Sequence, residues 1–67
     1  MNYMELTFKK EPVFVNLDKV LQIYPSCEEK GKTCLAFNSA EFLRVDESYE
    51  EVVTKIRLHI KNGENND

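Results

Sequence analysis

The side chains best suited to chemistry in this sequence are two cysteines and one histidine. Cys27 and Cys34 are separated by six residues, and His59 stands alone near the end of the chain. Zinc sites take three or four such ligands, commonly as cysteine or histidine pairs about two to four residues apart. The spacing of this set does not match that pattern. The sequence therefore predicts no metal site.

The two cysteines flank a polar loop, and the register of the surrounding hairpin decides whether they can meet. A two-residue turn at Lys30-Gly31 places Cys27 opposite Cys34. A loop longer by one residue instead places Ile23 opposite Phe37, which pairs more apolar side chains, and this is the register we predict. A hydrogen-bonded cross-strand pair is also a poor geometry for a disulfide. We therefore expect two free thiols.

Acid–base catalysis would have to use His59 or one of two acidic pairs. His59 falls on a flank of the expected terminal helix and has no evident partner. The pairs Glu28-Glu29 and Glu50-Glu51 lie in a polar loop and at a helix start, where carboxylates are expected anyway. The sequence has two glycines and no phosphate-binding loop, nucleophile elbow or HExxH motif. We therefore predict a protein that is not an enzyme, with no catalytic residues and no cofactor.

A complete helix signature runs from residue 48 to about residue 61. Ser48 and Glu51 form a capping box, in which each side chain can bond the backbone amide of the other residue. Glu47 and Glu50 at the amino end suit the helix dipole. Apolar residues then recur at helical spacing and predict one buried stripe: Tyr49, Val52, Val53, Ile56 and Ile60. Gly63 is expected to stop the helix, and the polar residues 63–67 are predicted to form a disordered tail.

The chain before the helix is predicted to form four or five short antiparallel strands. Met4, Leu6 and Phe8 alternate with polar residues, as in a half-buried strand. Turn-forming residues separate the further apolar stretches, and the predicted strands are 3–9, 13–15, 20–24, 33–37 and 41–45. We therefore predict an α+β fold in which one antiparallel sheet, open or curled into a small barrel, packs one face on a single carboxy-terminal helix.

One helix can cover only one face of such a sheet. The covered face is expected to carry the alternating apolar residues of the strands: Met4, Leu6, Phe8, Leu21, Ile23, Leu35, Phe37, Leu43 and Val45. Phe14, Val20, Tyr24 and Phe42 would then lie on the opposite face, and Leu58 on the outer side of the helix. Clustered exposed apolar residues mark binding surfaces. We therefore predict that these five residues form an interaction surface, covered by a second copy of the chain.

Size and charge limit the classes of function. The 67-residue chain is predicted to fold as one domain, residues 1–62, with a thin core. Its net charge of −3 opposes binding to phosphate backbones, so no nucleic-acid partner is expected. The sequence has no apolar run near the length of a membrane span, and its amino end does not resemble a signal peptide. We therefore expect no membrane insertion and a cytoplasmic location.

Three segments, 13–23, 33–38 and 45–52, share an arrangement with a known family. They contain a strand, an asparagine-led turn, a second strand, a hairpin, and a valine-rich strand that enters the helix through Glu47-Ser48-Tyr49-Glu50-Glu51-Val52. In this arrangement the chain resembles the small flagellar FlbD/SwrD-type proteins. Asn38-Ser39 stands where that family carries Asn-Gly, and the loop 28–32 is longer. The resemblance implies the fold and a bacterial or phage origin.

These observations lead to one predicted function and three alternatives. We predict a small non-catalytic protein–protein interaction module that self-associates through the sheet face not covered by the helix and that binds an unidentified protein partner. One alternative is a phage-encoded inhibitor or host-takeover protein that docks its acidic surface on a basic host site. The resemblance adds a flagellar motility accessory protein. Aromatic residues interleaved with lysine and arginine leave a nucleic-acid-binding regulator as the third alternative.

Overall fold

The computed structural model of the chain describes residues 2–64. Its secondary structure, in chain order, comprises β1 (Tyr3–Phe8), β2 (Glu11–Asn16), a short 3-10 helix (Leu17–Lys19), β3 (Gln22–Pro25), β4 (Thr33–Ala36), β5 (Phe42–Val45) and α1 (Tyr49–Glu64). All strand pairs are antiparallel. The predicted α+β class and the single carboxy-terminal helix are therefore confirmed.

The strands form two sheets, so the prediction of one sheet or a small barrel is wrong. β1 and β2 make a two-stranded sheet, and the other strands make a three-stranded sheet in the order β3-β4-β5. Each sheet has fewer strands than the single sheet predicted, and within residues 2–64 the strands do not close a barrel. The 3-10 helix after β2 separates that strand from β3, and Asn16 caps this helix by accepting from the Asp18 amide at 3.0 Å.

The first hairpin turns on Lys9 and Lys10, which have positive φ values of 49° and 67°. Phe8 pairs with Glu11, so these two lysines are the whole loop. Two-residue hairpin loops of this kind favour asparagine and glycine, because other residues with positive φ are strained by about 1–2 kcal/mol each. The gap between the predicted strands 3–9 and 13–15 therefore begins one residue earlier, at Lys9, and Pro12 lies inside β2, opposite Thr7.

One apolar core joins the hairpin, the three-stranded sheet and the helix. Its buried members come from all three parts: Met4, Leu6 and Val15 from the hairpin, Leu35 and Val45 from the sheet, and Val52 from α1. Half-buried apolar residues pack around them: Val13, Leu17, Val20, Ile23, Phe37, Leu43 and Ile56. Because neither sheet buries enough apolar surface alone, the helix and both sheets depend on one another.

The helix begins with the predicted capping box. The Glu51 amide donates to Ser48 Oγ at 3.2 Å, and the Ser48 amide donates to the Glu51 carboxylate at 3.4 Å. Within the predicted stripe only Val52 is fully buried, whereas Tyr49 and Ile60 are 41% and 54% exposed, which corrects the prediction that they are covered. The helix is longer than the core beneath it and continues to Glu64, past the predicted end near residue 61. The predicted disordered tail comprises residues 63–67, and of these, residues 65–67 lie outside the described residues.

The register between β3 and β4 differs from both registers considered from the sequence. Ile23 pairs with Leu35 and Tyr24 with Cys34, so the intervening loop is longer than either alternative allowed. This register directs Ile23 and Leu35 into the core, which is a better apolar match than Ile23 with Phe37. Leu21, predicted to be covered, lies before β3 and is 70% exposed.

Candidate functional site

The outward side of the three-stranded sheet carries two exposed aromatic residues, Tyr24 and Phe42, and the outward side of the hairpin carries two more, Tyr3 and Phe14. The strand pairings place outward residues in two rows across the sheet: Gln22, Ala36 and Phe42 in one row, and Tyr24, Cys34 and Arg44 in the next. We call these six residues the outer face. Its two aromatic residues stand at opposite corners, with the small side chains of Cys34 and Ala36 between them.

The two aromatic side chains of the outer face remain open to solvent. Tyr24 is 40% exposed and Phe42 is 55% exposed. Leu21 adjoins this face, because it lines a shallow depression together with Gln22 and Ala36. An exposed aromatic pair on one sheet face, extended by a leucine, is the kind of surface that protein partners cover.

Two ion pairs hold the loop between β3 and β4 against one end of the outer face. Arg44 donates through Nη2 to Glu28 at 2.9 Å and through Nη1 to Glu29 at 3.1 Å. These contacts fold the loop between β3 and β4 over the sheet, and Cys34 is buried although it points outward. The guanidinium also lies 5.9 Å from the centre of the Phe42 ring. The predicted acidic pair Glu28-Glu29 is therefore structural here, since it positions Arg44.

Two of the four edge strands, β2 and β3, carry a proline. In β2, Pro12 is paired with Thr7, next to the hydrogen-bonded pair Phe8–Glu11 at the turn. Hydrogen-bonded and non-hydrogen-bonded pairs alternate along an antiparallel ladder, so the Pro12 nitrogen points away from β1, towards the outer edge. In β3, the Ser26 amide bonds the Lys32 carbonyl at 2.9 Å, so the nitrogen of the preceding Pro25 also points outward. Proline offers no donor to an added strand, so both edges disfavour pairing with another chain.

The structure separates the five residues that were predicted to form one surface. Tyr24 and Phe42 share the outer face. Phe14 is 68% exposed on the outward side of the other sheet, and Leu58 is 55% exposed on α1. Val20 is half-buried and packs against the core, so its expected place on the uncovered face is wrong. The cause is the 3-10 helix, which directs Val20 inward before β3 begins.

Glu47 has a buried carboxylate that bonds to residues of other elements. Its two oxygens accept from the amide and the hydroxyl of Thr7, both at 2.9 Å. Lys55 Nζ lies 3.7 Å from the same carboxylate, and the Glu47 carbonyl accepts from the Thr33 hydroxyl at 2.8 Å. The sequence assigned Glu47 only to a charged helix start. All of these bonds connect the two sheets and the helix to one another, which indicates a structural role.

Asp46 makes a second link between the sheets. Its amide donates to the Thr7 carbonyl at 2.7 Å, and its carboxylate accepts from the Lys10 amide at 2.8 Å. Lys32 Nζ lies 3.2 Å from the other carboxylate oxygen. The Lys10 amide, followed by Lys32, lowers the pKa of the Asp46 carboxyl below its ordinary value despite partial desolvation.

The two cysteines and the histidine, the side chains best suited to chemistry, lie apart. Cys27 is exposed and Cys34 is buried, and both thiols are free. His59 is half-buried and contacts the Asn2 side chain, which in turn donates to Asp18 at 3.2 Å. Within residues 2–64, no three His, Cys, Asp or Glu side chains are placed to hold a metal ion. In the same part of the chain, no helix combines the length and the apolar character needed to cross a membrane.

Comparison of the chain with protein-family models, with curated proteins and with solved structures finds no match. The resemblance to the flagellar family therefore stays a prediction.

Proposed function

We propose that this chain is a small protein-binding module that associates with a second copy of itself through the outer face. The observation that carries the proposal is the placement of Tyr24 and Phe42 at opposite corners of that face, both exposed. Large aromatic side chains contribute much of the energy of protein interfaces, because each buries a wide area with few rotatable bonds.

The arrangement of the outer face suits a second copy. Consider two faces packed together about a twofold axis that lies between them, either along the strands or across them. In both orientations each aromatic residue meets Gln22 or Arg44 of the other copy, and never the same corner. Large side chains thus oppose polar or flexible ones, and Arg44 can stack on an aromatic ring of the second copy.

The size of the outer face sets the strength of this contact. Three strands at about 4.8 Å spacing and four residues at about 3.4 Å rise give a face of roughly 200 Å² in outline. Stable interfaces bury about 800 Å² on each partner. Even with Leu21 added, the face supports a weak, concentration-dependent association. The prolines in β2 and β3 disfavour the addition of a strand at those two edges, which supports face-to-face packing.

Sedimentation of the purified chain over a wide concentration range tests the proposal. We expect a monomer at low micromolar concentration and a growing dimer fraction towards millimolar concentration. Phe42→Glu places a charge on the outer face and is expected to abolish the dimer. Phe14→Glu is the matched control, because Phe14 is equally a solvent-exposed strand phenylalanine, but on the other sheet.

Two outcomes would refute self-association through the outer face. The first is a wild-type chain that stays monomeric over the whole concentration range. The second is equal loss of the dimer in both phenylalanine variants. The loss would then result from the added negative charge and not from the position of the residue on the outer face. Circular dichroism of each variant is the check on its fold, which we expect to be retained because neither side chain belongs to the core.

A further inference from the structure

The hairpin between β1 and β2 ends in a turn made of two lysines in a backbone conformation that lysine disfavours. Lys9 and Lys10, which we call the lysine turn, both have positive φ. Asparagine and glycine adopt this conformation readily, and lysine gains no local hydrogen bond there in return. Strained positions persist where the surrounding structure holds them, and they cluster at functional sites, so the lysine turn is a candidate for one.

The surroundings of the lysine turn hold its backbone and leave its charges displayed. Asp46 accepts from the Lys10 amide at 2.8 Å, and its other oxygen is engaged by Lys32 at 3.2 Å. Lys9 Nζ lies 5.4 Å from the centre of the Phe8 ring. Within residues 2–64, no carboxylate lies within 4.0 Å of the Lys9 or Lys10 ammonium group. Both lysines are exposed, so the turn presents two neighbouring ammonium groups to solvent on a backbone held by Asp46.

We propose that the lysine turn is a docking point for an acidic segment of a partner protein. Charge complementarity identifies the occupant, because two ammonium groups next to each other on one turn match carboxylates that are close in sequence. A nucleic acid is the less suitable polyanion: two lysines neutralise few phosphates, and the net charge of −3 repels a long phosphate backbone. The site is separate from the outer face and does not depend on self-association.

The probe is a hexaglutamate peptide, titrated into the full chain at low salt while backbone amide signals are followed by NMR. We expect saturable shifts centred on Lys9, Lys10 and Asp46, which disappear as salt is added. Lys9→Asn/Lys10→Gly removes both the charges and the strain, so it should abolish these shifts and raise the melting temperature by several degrees. Lys9→Arg/Lys10→Arg keeps both properties and should retain binding.

The matched control is Lys19→Asn/Lys61→Asn, which removes the same charge from exposed positions whose φ values are not positive. It should keep the shifts at the lysine turn and gain no thermal stability. The proposal is overturned if hexaglutamate causes no localised shift, or if Lys9→Asn/Lys10→Gly still binds or fails to melt higher. An oligothymidylate that causes equal or larger shifts at the same salt would also overturn it, in favour of nucleic acid.

Discussion

Asp46 shows how one side chain can fix the position of two distant segments. It follows β5 directly, and its carboxylate holds both the Lys10 amide and the Lys32 ammonium group. Both bonds are made by the ionised carboxylate, so the folded protein lowers the pKa of Asp46. The charged form is therefore favoured more strongly in the folded chain than in the unfolded chain.

This lowered pKa predicts the direction of an acid effect. The stabilisation by Asp46 is fully present above the ordinary aspartate pKa of about 3.9, and it is lost as the pH falls through the lower folded value. We expect the melting temperature to fall below about pH 4. Asp46→Asn should melt lower at neutral pH and show a smaller further loss in acid. Identical acid profiles for the two proteins would contradict the assignment to Asp46.

At the scale of the element, α1 illustrates the difference between a helical pattern and a buried face. The capping box forms as the sequence predicts, because it needs only residues within one turn. The apolar stripe is buried against the sheets at Val52, whereas its first residue, Tyr49, and its last, Ile60, remain exposed. Ile60 is thus 54% exposed, whereas Val52 has no exposed surface.

A matched pair of substitutions in α1 tests this burial gradient. Val52→Ala and Ile60→Ala each replace a β-branched residue by alanine in the same helix, so the gain in helix propensity is similar. Val52→Ala should lower the free energy of unfolding by about 2 kcal/mol through lost burial and the cavity left behind. Ile60→Ala should change it by less than about 0.5 kcal/mol. Chemical denaturation measures both, and equal effects would show that the stripe is covered along its whole length.

The whole molecule depends on polar links between two small sheets. Neither the hairpin nor the three-stranded sheet has a core of its own, and their shared core contains residues from both. Glu47 ties Thr7 of the hairpin, Thr33 of the sheet and Lys55 of the helix together. Removing one partner of a buried, charge-assisted hydrogen bond is costly because the other partner stays buried and unsatisfied.

Glu47→Ala should therefore destabilise the whole fold in a single transition. We expect the free energy of unfolding to fall by about 2–4 kcal/mol, since the Thr7 amide and hydroxyl would lose a charged acceptor. Glu50→Ala is the control, because Glu50 is an exposed acid three residues further along the chain. Urea denaturation followed by both fluorescence and circular dichroism should give one midpoint for each protein. Equal midpoints for the two variants would remove the assigned role of Glu47.

The sequence by itself determined the local features of this protein: four or five short strands, the asparagine-led turn at Asn16, the capping box of Ser48 and Glu51, and the single helix. Each follows from residues that are neighbours in the chain, so local propensity and alternation suffice to predict it. Only the tertiary structure decided that the strands divide into two sheets, that Ile23 pairs with Leu35, that Val20 packs inward, and that Glu47 is buried. These features depend on which apolar surfaces meet and on long-range hydrogen bonds between distant segments, and the same local pattern is compatible with several such arrangements.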